Sequence, residues 1–371
     1  MVVVTIAFGL WPRGYTFVNE TRHTSDARAI EFGRYGLIYS RPFVPERFFQ
    51  SNEFSLEMAF EPAPMNSGGF KSILMIHNGQ DLEQFMVGQW KSWIIAMNGD
   101  DYNTRRRLPR ISARVRPGDR VRFFTLVSGP KSTRVYIDGI LKREIHGKPF
   151  LHIPKGKARL LIGNSVYGVN GWNGAIYGLA FYNRSLSRSE VREHYRQWHR
   201  EDSLKFARHH DPVFLYLFSK DSFSRQVKDL GIAGKDLEDP RIMPVFKMKF
   251  FTLRTDFSTV GPVFFKDILI NFLGFMPIGF ASMLFIYGTG WFTFRKAALI
   301  SLLFSFSLSL FIEFCQAWLP SRNSDILDLI FNTLGAVAGI GLYRLREILG
   351  AKRSQAQPAQ KVDHRFMGRR S

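Results

Sequence analysis

Two hydrophobic periodicities divide this chain. In the front part, Phe54, Leu56, Met58 and Phe60 alternate with Ser55, Glu57 and Ala59, and Val121, Phe123, Thr125 and Val127 repeat the spacing. Alternation of this kind marks β-strands with one face inward. Val135-Tyr-Ile-Asp-Gly139 reads as a strand entering a tight turn, and Val213–Phe218 as a later strand returning to the sheet. Short strands between Gly, Asn and Pro turns predict an all-β jelly-roll sandwich over residues 15–250. One helix is expected there, Ser187–Trp198, with Ser187 as N-cap and Glu190 three residues on as a capping box.

From about Val263 the alternation stops and long apolar runs begin. Ile268–Tyr287 has no charged residue, Ala297–Leu319 carries only Glu313, and Ile326–Tyr343 carries only Asp328. Each is long enough to cross a hydrocarbon core of ~30 Å at ~1.5 Å per residue. Residues 263–345 therefore predict an α-helical transmembrane bundle with spans at 268–287, 297–319 and 326–343. Residues 251–262 form a linker and 346–371 a basic tail. The last two spans flank Pro-Ser-Arg-Asn-Ser-Asp and form a hairpin. Gly335 and Gly339 make a GxxxG pair that admits a close helix neighbour. The apolar start, residues 1–14, reads as the outer end of a further transmembrane helix that begins before residue 1; a buried strand is the plainer alternative.

Charge sets the expected orientation. Arg295 and Lys296 lie between the first two spans, and Arg344, Arg346, Lys352, Arg353 and Lys361 follow the third, against Arg322 alone in the hairpin turn. The positive-inside rule puts the tail in the cytoplasm and the hairpin turn and front domain outside. Helical rise then brings Asp267, Asn271, Glu313, Gln316, Asp325, Asp328 and Asn332, with Arg322, to one level near the outer surface. A carboxylate at a helix centre costs ~2.5–3.5 kcal/mol, less near the interface, so these groups should face the bundle interior. They are either interhelical glue (Arg322 with Asp325, Asn271 with Asn332) or a ligand or catalytic site with Glu313, Asp325 and Asp328 as candidates.

The net charge of +20 changes the picture only for the front domain. Arg105, Arg106, Arg107, Arg110, Arg114, Arg116, Arg120 and Arg122 form its densest run, either an anion-binding surface or a solvated face. Nucleic acid is the usual partner of such a run, but an outside location argues against it. The one cysteine, Cys315, excludes an intramolecular disulfide. No ExDxxE, HExxH or other convincing metal spacing occurs, so no metal and no cofactor is expected, and His194, His199, His209 and His210 read as surface residues. Trp90, Trp93 and Trp172 are candidates for stacking on sugar faces, with core packing as the alternative for each.

Two resemblances sharpen this reading. DILINFLGFMPIGF and SLSLFIEFCQAWLPSRNSDILDLIFNTLGAVAG, carrying Asp267, Asn271, Gly274, Phe275, Pro277, Gly279, Glu313, Gln316, Arg322, Asp325, Asp328, Asn332, Gly335 and Gly339, resemble the VanZ-like membrane protein family. VYIDG, then LLIGNSVYGVNGWNGAIYGLAFYNRSLSRSEVREHY, resembles the concanavalin A-like, laminin G-type domain, which binds carbohydrate in many relatives. The first resemblance implies a bacterial inner-membrane protein of four helices, with the β-domain inserted between the first two, and a setting of low-level teicoplanin resistance. Together they imply a protein that binds an envelope glycan or lipid-linked glycan, with membrane lipids as its surroundings. An enzyme acting on an envelope lipid or glycan, and a structural or adhesion anchor, are the other readings.

Overall fold

A computed structural model of the protein describes residues 2–10, 17–51, 53–65, 69–80, 82–99, 110–115, 121–147, 151–198, 210–219, 225–247, 250–251, 262–319 and 324–356. The chain divides into two compact units, Tyr15–Met248 and Met1–Gly14 with Lys249–Ser371.

The first unit is a sandwich of two antiparallel sheets. One runs β1 (Thr21–His23), β2 (Ile30–Phe32), β13 (Ala175–Tyr182), β4 (Phe54–Glu61), β9 (Arg122–Ser128), β10 (Ser132–Ile137), β11 (Ile140–His146), with β14 (Phe214–Leu217) also on β13. The other runs β15 (Gln226–Val227), β16 (Leu237–Glu238), β3 (Ile38–Ser40), β12 (Arg159–Ile162), β5 (Lys71–His77), β6 (Phe85–Trp90), β7 (Trp93–Asn98), β8 (Arg110–Arg114). Phe54, Leu56, Met58 and Phe60 point into the core between the sheets with Phe124, Leu126, Leu74, Ile76, Phe85 and Val87. The β10–β11 turn is Asp138-Gly139, both residues at positive φ, as a two-residue type I′ hairpin requires.

The alternate positions of β4 are buried too, contrary to a half-exposed strand. Helix α2 (Arg188–Trp198) covers that face. Val191 packs with Val127, Ala180 and Tyr182, while Tyr195 and Trp198 lie against the Phe123 ring. The capping box forms as read: Glu190 N donates to Ser187 Oγ at 3.2 Å, and Ser187 N donates to Glu190 Oε2 at 2.8 Å.

The second unit contains α1 (Val2–Gly9), α3 (Pro262–Gly288), α4 (Phe294–Gln316) and α5 (Ile326–Ala356). Phe265–Gly288, Phe294–Gln316 and Ile326–Ala351 are long and apolar enough to cross a membrane. Helix α3 starts six residues before its apolar run and α5 ends thirteen beyond, because backbone hydrogen bonding continues through charged residues where hydropathy does not. The N-terminal residues pack as a helix against α4, with Ile6 and Leu10 on Phe275, Ile278, Leu308 and Ile312. Three glycines let α3 and α5 touch by backbone. A Cβ at Gly279 would lie 2.1 Å from Ala336 O, at Gly335 2.1 Å from Phe272 O, and at Gly339 2.0 Å from Met276 O.

Candidate functional site

The helical unit gathers most of the expected polar residues, paired across helices. Glu313, 1% exposed near the end of α4, accepts the backbone N–H of Asp325 at 2.9 Å through Oε2. Asp325 in turn accepts Leu327 N at 3.0 Å through Oδ1, so it is the N-cap of α5. Asn271 of α3 donates to Asp328 Oδ1 at 2.6 Å. Asn332 donates to Ser309 Oγ at 2.9 Å, and Gln316 to the carbonyl of Gly9 at 2.6 Å. Unpaired buried polar groups are costly, and these bonds answer most of them while tying four helices together, leaving the side-chain oxygen of Asn332 buried without a partner among the described residues.

One expected pairing differs. Asn271 meets Asp328 and not Asn332, which sits one turn deeper and finds the hydroxyl of Ser309, a residue the sequence reading passed over. Asp267 is exposed at the start of α3. Arg322 lies outside the described residues, as do Arg105, Arg106, Arg107, Arg116, Arg120, His199 and His209. No cluster of metal-ligating side chains occurs among the described residues.

The candidate residues of the sandwich scatter. Trp172 is fully buried, its indole N–H donating to Gln89 Oε1 at 2.8 Å between Phe32 and Phe60, so its faces cannot stack on a sugar. Trp90 and Trp93 oppose each other across β6 and β7, and Lys91 lies over the Trp90 ring. Only Trp93, 37% exposed beside Arg114, offers an open aromatic face of the three. Arg110 and Arg114 project from β8, but Arg122 belongs to the opposite sheet, where it pairs with Asp138 at 3.0 Å. Arg122 therefore does not share a sheet with Arg110 and Arg114, because the chain changes sheet between β8 and β9. His194 is not a surface residue. It is fully buried on the inner face of α2, with Nδ1 2.9 Å from Glu57 Oε2, an oxygen that also accepts Tyr182 OH at 3.1 Å.

A concave site unforeseen in the sequence lies at the rim of the sandwich. The turn Pro45–Arg47, the stretch Phe49–Ser51 and the loop Ile153–Lys155 enclose a cleft of about 390 Å³. That volume is within the ~300–1,000 Å³ usual for small-ligand sites. Phe49, Pro154 and Ile153 give it an apolar side, and Glu46, Gln50, Ser51 and Lys155 bring exposed polar groups to its edge. Glu46 Oε1 accepts Gly156 N at 2.7 Å, which anchors the carboxylate. The backbone N–H of Glu46 itself and that of Gly156 hold this carboxyl below the usual range. A charged acceptor, an amide, a hydroxyl and an ammonium around an apolar floor form the set of groups that a polyhydroxylated ring can engage.

Comparison with known proteins matches both units, although the helical match begins inside the sandwich unit, which runs to Met248. Residues 213–347 match the family described as VanZ/LLP1, and residues 42–192 match the concanavalin A-like lectin/glucanases superfamily. The chain combines a VanZ-like region with a concanavalin A-like domain. Similar solved structures include a Ruminococcus gnavus IT-sialidase CBM40 bound to alpha2,3 sialyllactose, at 13% identity and TM-score 0.35, covering 47% of this chain and 96% of that one. The binding domain of botulinum neurotoxin serotype D matches at 12% identity and TM-score 0.38, covering 50% and 48%. The chain thus spans about half the length of the toxin domain. No curated protein matches the chain significantly.

Proposed function

We propose that this VanZ-like chain is a multi-pass protein of the bacterial inner membrane, whose extracytoplasmic sandwich binds a carbohydrate of the cell envelope in the Glu46–Lys155 cleft. The observation that carries the reading is the cleft itself: an anchored carboxylate, an amide, a hydroxyl and an ammonium around an apolar floor, on a lectin-like fold. The helical polar layer supports an anchoring role for that unit, since Glu313 and Asn332 are buried and hydrogen-bonded within the unit. The positive-inside rule supports the orientation, because Arg295, Lys296, Arg344 and Arg346 share the end of the bundle where Arg344 lies over Phe294.

The test is binding of the full chain in detergent to N-acetylglucosamine–N-acetylmuramic acid oligosaccharides, alongside sialyllactose and a neutral glucan. One of these glycans binds, and Glu46→Ala and Lys155→Ala each weaken it at least ten-fold without changing the unfolding midpoint. Equal binding by the variants, or none by the parent, sinks the cleft as the site. A setting in glycopeptide response predicts that loss of the chain changes susceptibility to teicoplanin-type antibiotics, and that Glu46→Ala reproduces the change.

A further inference from the structure

Helix α5 runs for 31 residues, about 46 Å, and so exceeds the ~30 Å hydrocarbon core by several turns. Its later part closes a cleft of about 760 Å³ together with Leu284 near the end of α3. At ~100° per residue, Tyr343, Glu347 and Gly350 share the face turned to this cleft, with Arg346 on one flank and Arg344 on the other. The small residues Gly350 and Ala351 leave the space open, while Leu284 and Ile348, both exposed, give it an apolar side.

The charges are unevenly committed. Arg344 lies 4.7 Å above the Phe294 ring and 3.5 Å from Glu347, so the one acidic group of the cleft is already balanced. Arg346 is exposed and has no ion-pair partner among the described residues. Arg295 and Lys296, also exposed, begin α4 at the same end of the bundle. A cleft with one apolar wall, two guanidinium groups and further cations nearby, at the end of a membrane-length helix, matches one ligand chemistry: a phosphate diester attached to acyl chains.

We propose that this cleft is a binding site for the headgroup of an anionic phospholipid, with Arg346 as its principal phosphate ligand, Arg344 as the second, and Leu284 and Ile348 against the upper acyl chain. The inference rests on the membrane reading of α3–α5 and is independent of the carbohydrate cleft.

The test uses the full chain in detergent, with native mass spectrometry after equimolar addition of dioleoyl phosphatidylglycerol and dioleoyl phosphatidylcholine. The parent chain retains the anionic lipid in preference, and Arg346→Ala lowers that retention roughly five-fold, the effect of about one surface cation. Arg346→Lys keeps most of the preference if charge is what counts. Equal retention of the two lipids by the parent overturns the proposal without recourse to any variant. So does an unchanged preference in Arg346→Ala. Displacement of the anionic lipid by millimolar inorganic phosphate also overturns it, because the site would then serve a free anion.

Discussion

Helices α2 and α5 start with the same local grammar and complete it differently. In the sandwich unit, Ser187-x-x-Glu190 closes on itself: the hydroxyl serves Glu190 N, and the carboxylate returns to Ser187 N. In the helical unit, Asp325-x-x-Asp328 has the same spacing, but only the first half closes locally, through Asp325 Oδ1 to Leu327 N. The N–H of Asp325 is taken by Glu313, twelve residues earlier in another helix, and Asp328 is released to bond Asn271 of a third. Where water surrounds a helix start, a cap is a local matter. Where neighbouring helices pack around it, each acceptor is also a cross-link, because the groups the cap leaves over find their partners on those helices.

The same contrast holds for buried carboxylates, and the largest expected effect tests it. Glu57 is fully buried and shared by Tyr182 and His194, which docks α2 on the sheet. Glu57→Ala removes the acceptor at the centre of that network and should destabilise the sandwich by ~3–5 kcal/mol. Denaturant unfolding of the full chain followed by tryptophan fluorescence measures this, and amide exchange over residues 188–198 locates it. A loss below about 1 kcal/mol would mean that α2 is held by apolar packing alone.

For the helical unit, the corresponding loss is smaller because the partners at stake are one backbone N–H and the Ser324 hydroxyl. Glu313→Ala should cost ~1–3 kcal/mol, the range for stranding a buried donor, and speed exchange in the first turn of α5. Glu313→Gln keeps an acceptor oxygen and should recover most of it. If both variants fold like the parent, the glutamate is not a cap, and the case for a ligand or catalytic site at this level gains. Gly339→Ala probes the apolar side of the same assembly. Its added carbon would sit 2.0 Å from Met276 O, so overpacking of ~1–3 kcal/mol is expected in detergent-denaturation measurements. Gly350→Ala, with open space around it, serves as the near-neutral or mildly stabilising control.

Legibility in the sequence followed distance along the chain. The capping box, the Asp138-Gly139 turn and the strand alternation are local patterns, and each was readable from residues a few positions apart. The glycine pair also read correctly, because small residues at i and i+4 can only mark one helix face. Contacts between elements were less visible. The stripe Asp325, Asp328, Asn332 specifies a face of α5 but not how far α3 slides along it, so the pattern alone does not choose between Asp328 and Asn332 as the partner of Asn271. His194 looked like a surface residue because its partner lies 137 positions away, on a strand whose outer face was expected to be wet. Trp172 had the composition of a sugar platform, but its N–H found Gln89 inside the core. The rim cleft has no motif at all; it joins residues around 45–51 to others around 153–155.

The smallest expected effect concerns the local cap of α2 and tests by pH whether it holds itself. Burial alone would raise the Glu190 carboxyl, but bonds from the Ser187 backbone and hydroxyl and from Arg184 outweigh it and bring the pKa from 4.5 to about 2. A carboxyl depressed on folding contributes stability that is complete above the unfolded value and is lost as pH falls from about 4.5 toward 2. Ser187→Ala should therefore cost about 1 kcal/mol at neutral pH, typical of a lost N-cap. Glu190→Gln should flatten that part of the acid limb of the sandwich's stability which lies between these two values. Full-chain unfolding midpoints at pH 6, 4 and 3 decide it. An acid limb unchanged in Glu190→Gln would mean that the bonds to Ser187 do not set the charge state of this helix start, and that the cap of α2 is held from outside itself, as that of α5 is.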